Sequence, residues 1–283
     1  FDVIYVHGNS VLAARIARVR PTILRLPGPV SSELAPTLRR IHAVCANGDA
    51  LRHIRTFLGD HATELPIGLD TNLFQPGPSQ ERQRLGWSGA EWVIGYVGRL
   101  AYIKGVDLLA DAFKQVRASI PHARLLMIGA GEEQGKLREA LKEELARGLA
   151  RIEADVPHER LGDWYRAMDV FVMPSRYENY SNAVLEALAC GVPFLGSNVG
   201  GNPRLVESRG GNLFASGSAE ALSQALRSMG DAFRRGGEQE TVRLGRPHQI
   251  LGWDASAAQL ETIIQKNLNL PVGSSSNCVN RES

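Results

Sequence analysis

From residue 79 onward, short apolar runs alternate regularly with helical patterns, and this alternation restricts the fold more than any other feature of the sequence. The apolar runs predict buried strands, and the segments between them have helical periodicity. The predicted strands are 92–97, 124–128, 150–155, 170–173 and 193–196, and the predicted helices are 104–118, 132–146, 158–167 and 181–190. Such alternation is typical of βαβ units. We therefore expect an α/β domain with a mostly parallel sheet.

The chain before residue 79 shows a similar alternation in shorter elements. Strands are predicted at 1–6, 22–26, 41–45 and 64–67, with a helix at 10–18 that Ser10 caps and another at 49–58. The run Gln75–Ser79 is rich in Pro and Gly, which is typical of a linker. The sequence therefore predicts one α/β domain over 1–78 and a second over 79–270, which closes with helices at 218–230 and 254–266. A polar tail over 271–283 is expected to be disordered.

Composition excludes several classes of protein. The 283 residues are 43% hydrophobic and 22% charged, which is ordinary for a globular protein. The net charge of +2 is too small for nucleic-acid binding by bulk charge. The three cysteines show no metal-ligand spacing and are odd in number, which argues against a disulfide scaffold and favours a reducing, cytoplasmic compartment.

Positive charge is concentrated near the beginning of the chain. Residues 1–60 contain eight Arg and four acidic residues. One interpretation is a solvated basic face, and the other is a surface that meets an anionic acceptor or the inner face of a membrane.

In parallel sheets, ligands bind beyond the carboxyl ends of the strands, so the loops that follow the predicted strands are the candidate sites. After the strand 92–97, Gly98, Arg99 and Lys104 precede a predicted helix. The N-terminus of a helix attracts anions through its free N–H groups and dipole. Two cations at this position predict a diphosphate site, although solvated surface cations would give the same pattern.

Two further loops carry a candidate site. After the strand 170–173, Glu178 lies in a loop, Ser181 or Asn182 caps the next helix, and Glu186 lies about one turn into it. Carboxylates at this edge of a sheet can accept hydrogen bonds from sugar hydroxyls. The alternative is a loop acid and a surface helix acid without a ligand. The pair Gly200-Gly201 either lets the main chain approach a ligand or forms a tight turn.

Together these loops resemble the retaining, nucleotide-sugar-dependent glycosyltransferases of the GT-B fold, in the large group called family 4. The resemblance extends from residue 1 to about residue 215. The matching segments are Gly98-Arg99-Leu100, Lys104-Gly105-Val106-Asp107, Pro174-Ser175, the pair Glu178 and Glu186, Gly191-Val192-Pro193 and Val199-Gly200-Gly201, with Leu65–Phe74 similar to the family's hinge-side segment. The resemblance implies two Rossmann-like domains with parallel sheets.

The resemblance also implies site residues. Arg99 and Lys104 would bind the donor's diphosphate and stabilise the leaving group without a metal, Glu178 would contact the transferred sugar, and Glu186 would bind the ribose hydroxyls. We expect these three residues, Arg99, Lys104 and Glu178, to be catalytic. The remaining donor contacts would come from Gly98, Val156, Asn179, Tyr180, Ser181 and Asn182, and the acceptor-side candidate is His7.

The implied reaction is the transfer of a sugar from a UDP- or GDP-linked donor, with retention and without a cofactor. The acceptor would be a hydroxyl of a glycan, of a lipid-linked molecule or of a small molecule. The sequence also departs from the family pattern. Arg204 occupies the usual place of a Glu in G-G-x-P-E, and the first strand resembles one from the middle of the N-terminal domain, which predicts that this domain is truncated. An inactive nucleotide-sugar-binding module and a GT-B-like epimerase remain as alternatives.

Overall fold

A computed structural model describes residues 3–65, 67–87, 89–236 and 252–268. The chain divides into two compact units. The first contains the described residues before Ile67 and those from Asp254 onward, and the second is Ile67–Trp253. Each unit has a sheet in which every described strand pair is parallel, which confirms the predicted fold class. The predicted tail, 271–283, lies outside the described residues.

The first unit has a four-stranded sheet in the order β1-β2-β3-β4. Its elements are β1 Ile4–His7, α1 Ser10–Ile16, β2 Thr22–Arg25, α2 Ala35–Leu38, β3 Ala43–Ala46, α3 Gly48–Leu58 and β4 Ala62–Glu64. The predicted N-cap of α1, Ser10, is wrong. Asn9 caps this helix, because its side-chain oxygen accepts a hydrogen bond of 2.9 Å from the backbone N–H of Leu12.

The second unit has a six-stranded sheet in the order β10-β9-β8-β5-β6-β7. Its elements are α4 Gln80–Arg84, β5 Trp92–Val97, α5 Val106–Ser119, β6 Ala123–Ile128, α6 Gln134–Ala140, α7 Lys142–Ala146, β7 Ala150–Glu153, α8 Leu161–Arg166, β8 Val170–Met173, α9 Asn182–Ala189, β9 Phe194–Ser197, α10 Asn202–Arg209, β10 Asn212–Phe214 and α11 Ala219–Gly236. All six residues of the central strand β5 are buried. Burial on both faces is expected of a parallel strand that is covered by helices.

The division between the units differs from the predicted boundary at 78/79. The linker-like run Gln75–Ser79 belongs to the second unit because α8 holds it. The Arg166 guanidinium donates to the backbone carbonyls of Gln75 and Pro78, and the Ser79 hydroxyl donates to the carbonyl of Asp163. Although residues 75–78 are exposed, hydrogen bonds to α8 therefore hold this run in place.

The last described helix, α12 Trp253–Leu268, also departs from the predicted division. From Asp254 onward it belongs to the first unit, where Ile263 packs in a buried cluster with Ile23 of β2 and Cys45 of β3. Leu24, the next residue of β2, faces the other core of this unit. Successive strand residues point to opposite faces, so α12 covers one face of the sheet. No helix among the described residues is both long and apolar enough to cross a bilayer.

Candidate active site

The site lies where the strand order of the second unit's sheet reverses. β5 and β8 are neighbours, with Ile94 opposite Val170, although β6 and β7 lie between them in sequence. Two loops therefore meet at the carboxyl edge: the first loop, residues 98–105, which follows β5, and the second loop, residues 174–181, which follows β8. In open α/β sheets a ligand binds at this kind of position, outside the carboxyl ends of the strands at the switch point.

Glycines allow the two loops to pack closely. Gly105 has φ +67°, and a Cβ at this position would lie 2.0 Å from the backbone oxygen of Pro174. A Cβ on Gly201 would lie 2.0 Å from the backbone oxygen of Asn179. Both distances are far below van der Waals contact, so only glycine fits at either position. Of the two interpretations of Gly200-Gly201, the described chain favours a tight packing turn against the second loop.

Two residues that the resemblance marked as catalytic contact each other across the loops. The Lys104 ammonium lies 2.8 Å from Oε2 of Glu178, and the hydroxyl of Ser175 lies 3.3 Å from the same oxygen. The Glu178 side chain is 8% exposed, whereas that of Lys104 is 29% exposed. The contact therefore places a positive charge at the open side of a buried carboxylate.

A second ion pair fixes the position of the loops. The Arg176 guanidinium donates two hydrogen bonds of 2.7 Å to the Asp107 carboxylate and lies over the ring of Tyr102 at 3.8 Å. Burial raises the pKa of Asp107, but the hydrogen bonds and the charge of Arg176 outweigh burial, so the net pKa is below its usual value. Bidentate Arg–carboxylate pairs are geometrically specific. Lys104 ends the short turn Tyr102–Lys104, so this ion pair helps to define its position.

Arg99 extends from the first loop into solvent. Its side chain is 69% exposed, and the guanidinium lies 3.1 Å from a carboxylate oxygen of Glu132, in the loop after β6. Its backbone oxygen accepts a hydrogen bond of 2.8 Å from the hydroxyl of Tyr96. Gly98 has φ +152°, and a Cβ on it would lie 2.9 Å from the same hydroxyl. The backbone of the first loop is thus held by the core, while the Arg99 side chain remains accessible to an anion.

Glu186 is buried at the same edge of the sheet, so the alternative of a surface helix acid is wrong. The Tyr165 hydroxyl donates a hydrogen bond of 2.7 Å to Oε2 of Glu186, and Nε2 of His158 lies 3.9 Å from Oε1. Burial raises the pKa of Glu186, and the hydrogen bond from Tyr165 and the nearby His158 oppose this rise. The net pKa is above the usual value for Glu.

The other candidate donor-binding residues lie in the loop after β7, in the loop after β8 and at the start of α9. Val156 is half-buried in the loop after β7 and packs against the core. Ser181 is the N-cap residue of α9, although its side chain makes no capping hydrogen bond. Asn179 and Tyr180 are half-buried, and Asn182 is the exposed first residue of α9. In the first unit, His7 is the exposed last residue of β1.

The structure thus brings Lys104 and Glu178 into direct contact and places Arg99 and Glu186 at the same edge of the sheet. Sequence reasoning missed Tyr165 and His158. A tyrosine in a helical pattern is ordinarily a core residue, which gives no indication of a site. The sequence feature that pointed to either residue was its place in the segment that follows the predicted strand 150–155. Arg204 is exposed on α10.

Among the described residues no cluster of three or more His, Cys, Asp or Glu could hold a metal ion, and metal independence stays a prediction.

The chain is similar in sequence to known proteins. Residues 91–231 match the family described as glycosyl transferases group 1. Over 241 residues the chain is 30% identical to the D-inositol 3-phosphate glycosyltransferase of Thermobispora bispora, covering 77% of this chain and 54% of the relative. It is also 30% identical over 233 residues to a GDP-mannose-dependent monoacylated alpha-(1-6)-phosphatidylinositol monomannoside mannosyltransferase of Corynebacterium glutamicum, covering 76% of this chain and 59% of the relative.

Solved structures have the same architecture. The crystal structure of HepE from Anabaena in complex with UDP superposes with a TM-score of 0.78 at 21% identity, covering 94% of this chain and 79% of that one. This likeness confirms the predicted GT-B fold. The chain spans about half the length of the curated relatives it matches, with 54% of one and 59% of another covered.

Proposed function

We propose that this chain, which belongs to the glycosyl transferases group 1 family, takes part in moving a sugar from a nucleoside-diphosphate sugar to an acceptor hydroxyl. The observation that carries this proposal is the contact of Lys104 with Glu178 at the switch point, with Arg99 exposed on the same loop. A cation and a carboxylate side by side suit the two ends of such a donor. The diphosphate would lie against the cation, and the transferred sugar against the carboxylate.

The proposed reaction requires the site to stabilise a departing diphosphate. When the bond between the sugar and the diphosphate breaks, negative charge accumulates on the diphosphate oxygens. The Lys104 ammonium and the Arg99 guanidinium would stabilise this charge, because cations positioned in advance stabilise the transition state more than the ground state. We propose that this stabilisation needs no metal ion and no cofactor.

The contacts of Glu178 and Glu186 bear on the stereochemical course of the transfer. Of the two candidate acids, Glu178 is paired with Lys104, and Glu186 accepts a hydrogen bond from Tyr165. A carboxylate that is already paired is a poor nucleophile for a covalent intermediate. We therefore propose attack by the acceptor hydroxyl on the face that the diphosphate leaves, which retains the configuration. The donor base would be uracil or guanine, and the acceptor a glycan, a lipid-linked molecule or a small molecule.

Nucleotide binding gives the most direct test. UDP or GDP is expected to raise the melting temperature of the chain in the presence of a chelator of divalent ions. A ligand at a concentration of 100 times its Kd stabilises the folded state by about 2.7 kcal/mol, which is readily measured. Substituting Glu186→Ala is expected to remove most of this protection because the ribose loses its carboxylate. Thermal denaturation with and without the nucleotide provides the measurement.

A matched control separates ribose binding from general stability. Glu81 is also a buried glutamate of the second unit, where it pairs with Arg84 and Arg160 on α4 and the turn before α8. Glu81→Ala is expected to lower the melting temperature but to retain the full nucleotide-dependent increase. Equal protection of Glu186→Ala and the unmodified chain would contradict the ribose assignment.

Product analysis distinguishes the alternatives. A transferase yields free nucleotide and a glycoside, and an epimerase yields an isomerised sugar nucleotide. An inactive binding module binds the nucleotide without turnover. Incubation with UDP- and GDP-sugars, followed by chromatography of the nucleotides, separates these three outcomes.

The basic region of the first unit supports a proposal about the acceptor side. Arg15, Arg18 and Arg20 are exposed, and so are the aliphatic residues Val11 and Val19 beside them in sequence. Basic and apolar residues together favour binding to the headgroup region of an anionic membrane. We propose that this region, residues 11–20, contacts such a membrane.

Vesicle binding tests this contact. Each basic residue near an anionic surface contributes about 1 kcal/mol, so replacing all three arginines by glutamate is expected to lower binding to vesicles with anionic lipids by more than about 100-fold. Lys142→Glu, an exposed charge reversal in the second unit, is the control and is expected to have little effect. Sedimentation with vesicles of phosphatidylglycerol and phosphatidylcholine gives the binding. Equal binding of the triple variant would exclude the contact.

A further inference from the structure

Tyr165 and Glu186 form a buried polar pair, and the proposed function gives a role to Glu186 but none to Tyr165. The Tyr165 side chain is 0% exposed, and its hydroxyl donates a hydrogen bond of 2.7 Å to Oε2 of Glu186. A buried carboxylate without a hydrogen-bond donor is costly, so the pair stabilises this arrangement of the two elements α8 and α9.

Aromatic neighbours hold the Tyr165 ring on two sides. Phe74 contacts it edge to face at 5.9 Å between centroids, and Phe171 of β8 does so at 5.7 Å. Both phenylalanines belong to the core of the second unit. Close packing restricts the rotation of a buried ring, so the hydroxyl has one direction in which to point. The position of the donor is therefore set by the core.

The hydrogen bond makes the two carboxylate oxygens of Glu186 unequal. Oε2 is occupied by Tyr165, while Oε1 faces the side of His158, whose side chain is 61% exposed. Oε1 thus lies on the side of an exposed imidazole and not on the side of the buried tyrosine. Burial raises the pKa of Glu186, and the Tyr165 hydrogen bond opposes this rise. The tyrosine therefore favours the ionised form, which is the stronger acceptor.

We propose that Tyr165 is a positioning residue for ribose recognition. Its hydroxyl holds Oε2 of Glu186, so that Oε1 is directed to accept hydrogen bonds from the 2′- and 3′-hydroxyls of the donor's ribose. This inference rests on the proposed function, since it needs a nucleoside diphosphate in the site. Tyr165 itself touches no ligand, and its effect depends entirely on Glu186.

The experiment combines Tyr165→Phe with a ligand that lacks the ribose hydroxyls. Isothermal titration calorimetry would measure the Kd of UDP or GDP, whichever binds more tightly, and of its 2′,3′-dideoxy analogue. Tyr165→Phe is expected to weaken binding of the natural nucleotide about tenfold, because the carboxylate that accepts the ribose hydroxyls loses the hydrogen bond that orients it. It is expected to leave the Kd of the dideoxy analogue unchanged, because Glu186 has no hydroxyl to bind there.

Ser223→Ala is the matched control because it also removes a buried hydroxyl from the second unit. That hydroxyl donates to Oε1 of Gln115 at 2.8 Å, between α11 and α5. It is expected to leave the affinities of both ligands unchanged. Equal weakening of both ligands by Tyr165→Phe would show a purely structural role and overturn the proposal, as would an unchanged Kd for the natural nucleotide. If the unmodified chain binds neither UDP nor GDP, the proposed function itself fails, which is a separate and recognisable result.

Discussion

Replacing Lys104 by methionine is expected to lower kcat/KM for sugar transfer by about 10²–10³-fold, the effect expected when a charge that stabilises the transition state is removed. Methionine keeps an unbranched apolar stem and lacks the ammonium, so the main change is the loss of the charge. That group lies 2.8 Å from Glu178, at the end of the first loop. Initial rates with the preferred nucleotide sugar provide the measurement.

A comparison of UDP with uridine shows whether the lower kcat/KM of Lys104→Met comes from a lost contact with the diphosphate. UDP is expected to bind Lys104→Met at least tenfold more weakly, while uridine, which has no diphosphate, is expected to bind equally to both proteins. The control is Lys136→Met. Lys136 also lies 2.8 Å from a glutamate, Glu133, but it is 78% exposed, and exposed ion pairs contribute little. A rate for Lys104→Met within about threefold of that of the Lys136→Met control would show that the ammonium does not stabilise the leaving group.

Replacing Gly105 by alanine is expected to lower the free energy of unfolding by about 3 kcal/mol, because a strained backbone and an overpacked contact both add to the cost. The backbone φ of +67° disfavours any residue with a Cβ, and this Cβ would lie 2.0 Å from the Pro174 oxygen. The first and second loops would have to separate, which also disrupts the contact of Lys104 with Glu178. Thermal denaturation is expected to show a decrease in melting temperature of about 10 °C.

Gly86→Ala separates the two contributions. Gly86 has φ +70°, but a Cβ there would have no atom within 4 Å. Gly86→Ala is therefore expected to lower the free energy of unfolding by the backbone strain alone, about 1–2 kcal/mol. If Gly105→Ala and Gly86→Ala destabilise the protein equally, the two loops are not in tight contact in solution. Loss of nucleotide binding is expected only for Gly105→Ala.

Most of the secondary structure could be predicted from the sequence. The predicted strand 92–97 coincides with β5, and the predicted strand 170–173 coincides with β8. Short elements were missed, among them the three-residue strand β10, because so short a segment has too few residues to show a period. The N-cap of α1 was misplaced by one residue, since Asn9 and Ser10 are both good capping residues.

The boundaries between units required the tertiary structure. A run such as Gln75–Ser79 contains the residues typical of a linker, and nothing in its own sequence shows that Arg166 and Asp163 bind its backbone. The side on which α12 packs is equally invisible in its sequence. Its apolar residue Ile263 could face any apolar surface, and it packs against β2 and β3 of the first unit.

The sequence by itself determined which loops carry cations, carboxylates and glycines, because short-range periodicity and turn residues place each loop at the end of its strand. Only the tertiary structure decided which of these loops meet. Lys104 and Glu178 are 74 residues apart and touch because β8 pairs with β5. Buried parallel strands all have similar apolar sequences, so their order in a sheet is set by long-range packing of the helices that connect them. The same packing brought Tyr165 to Glu186 and turned a core tyrosine into part of the candidate site.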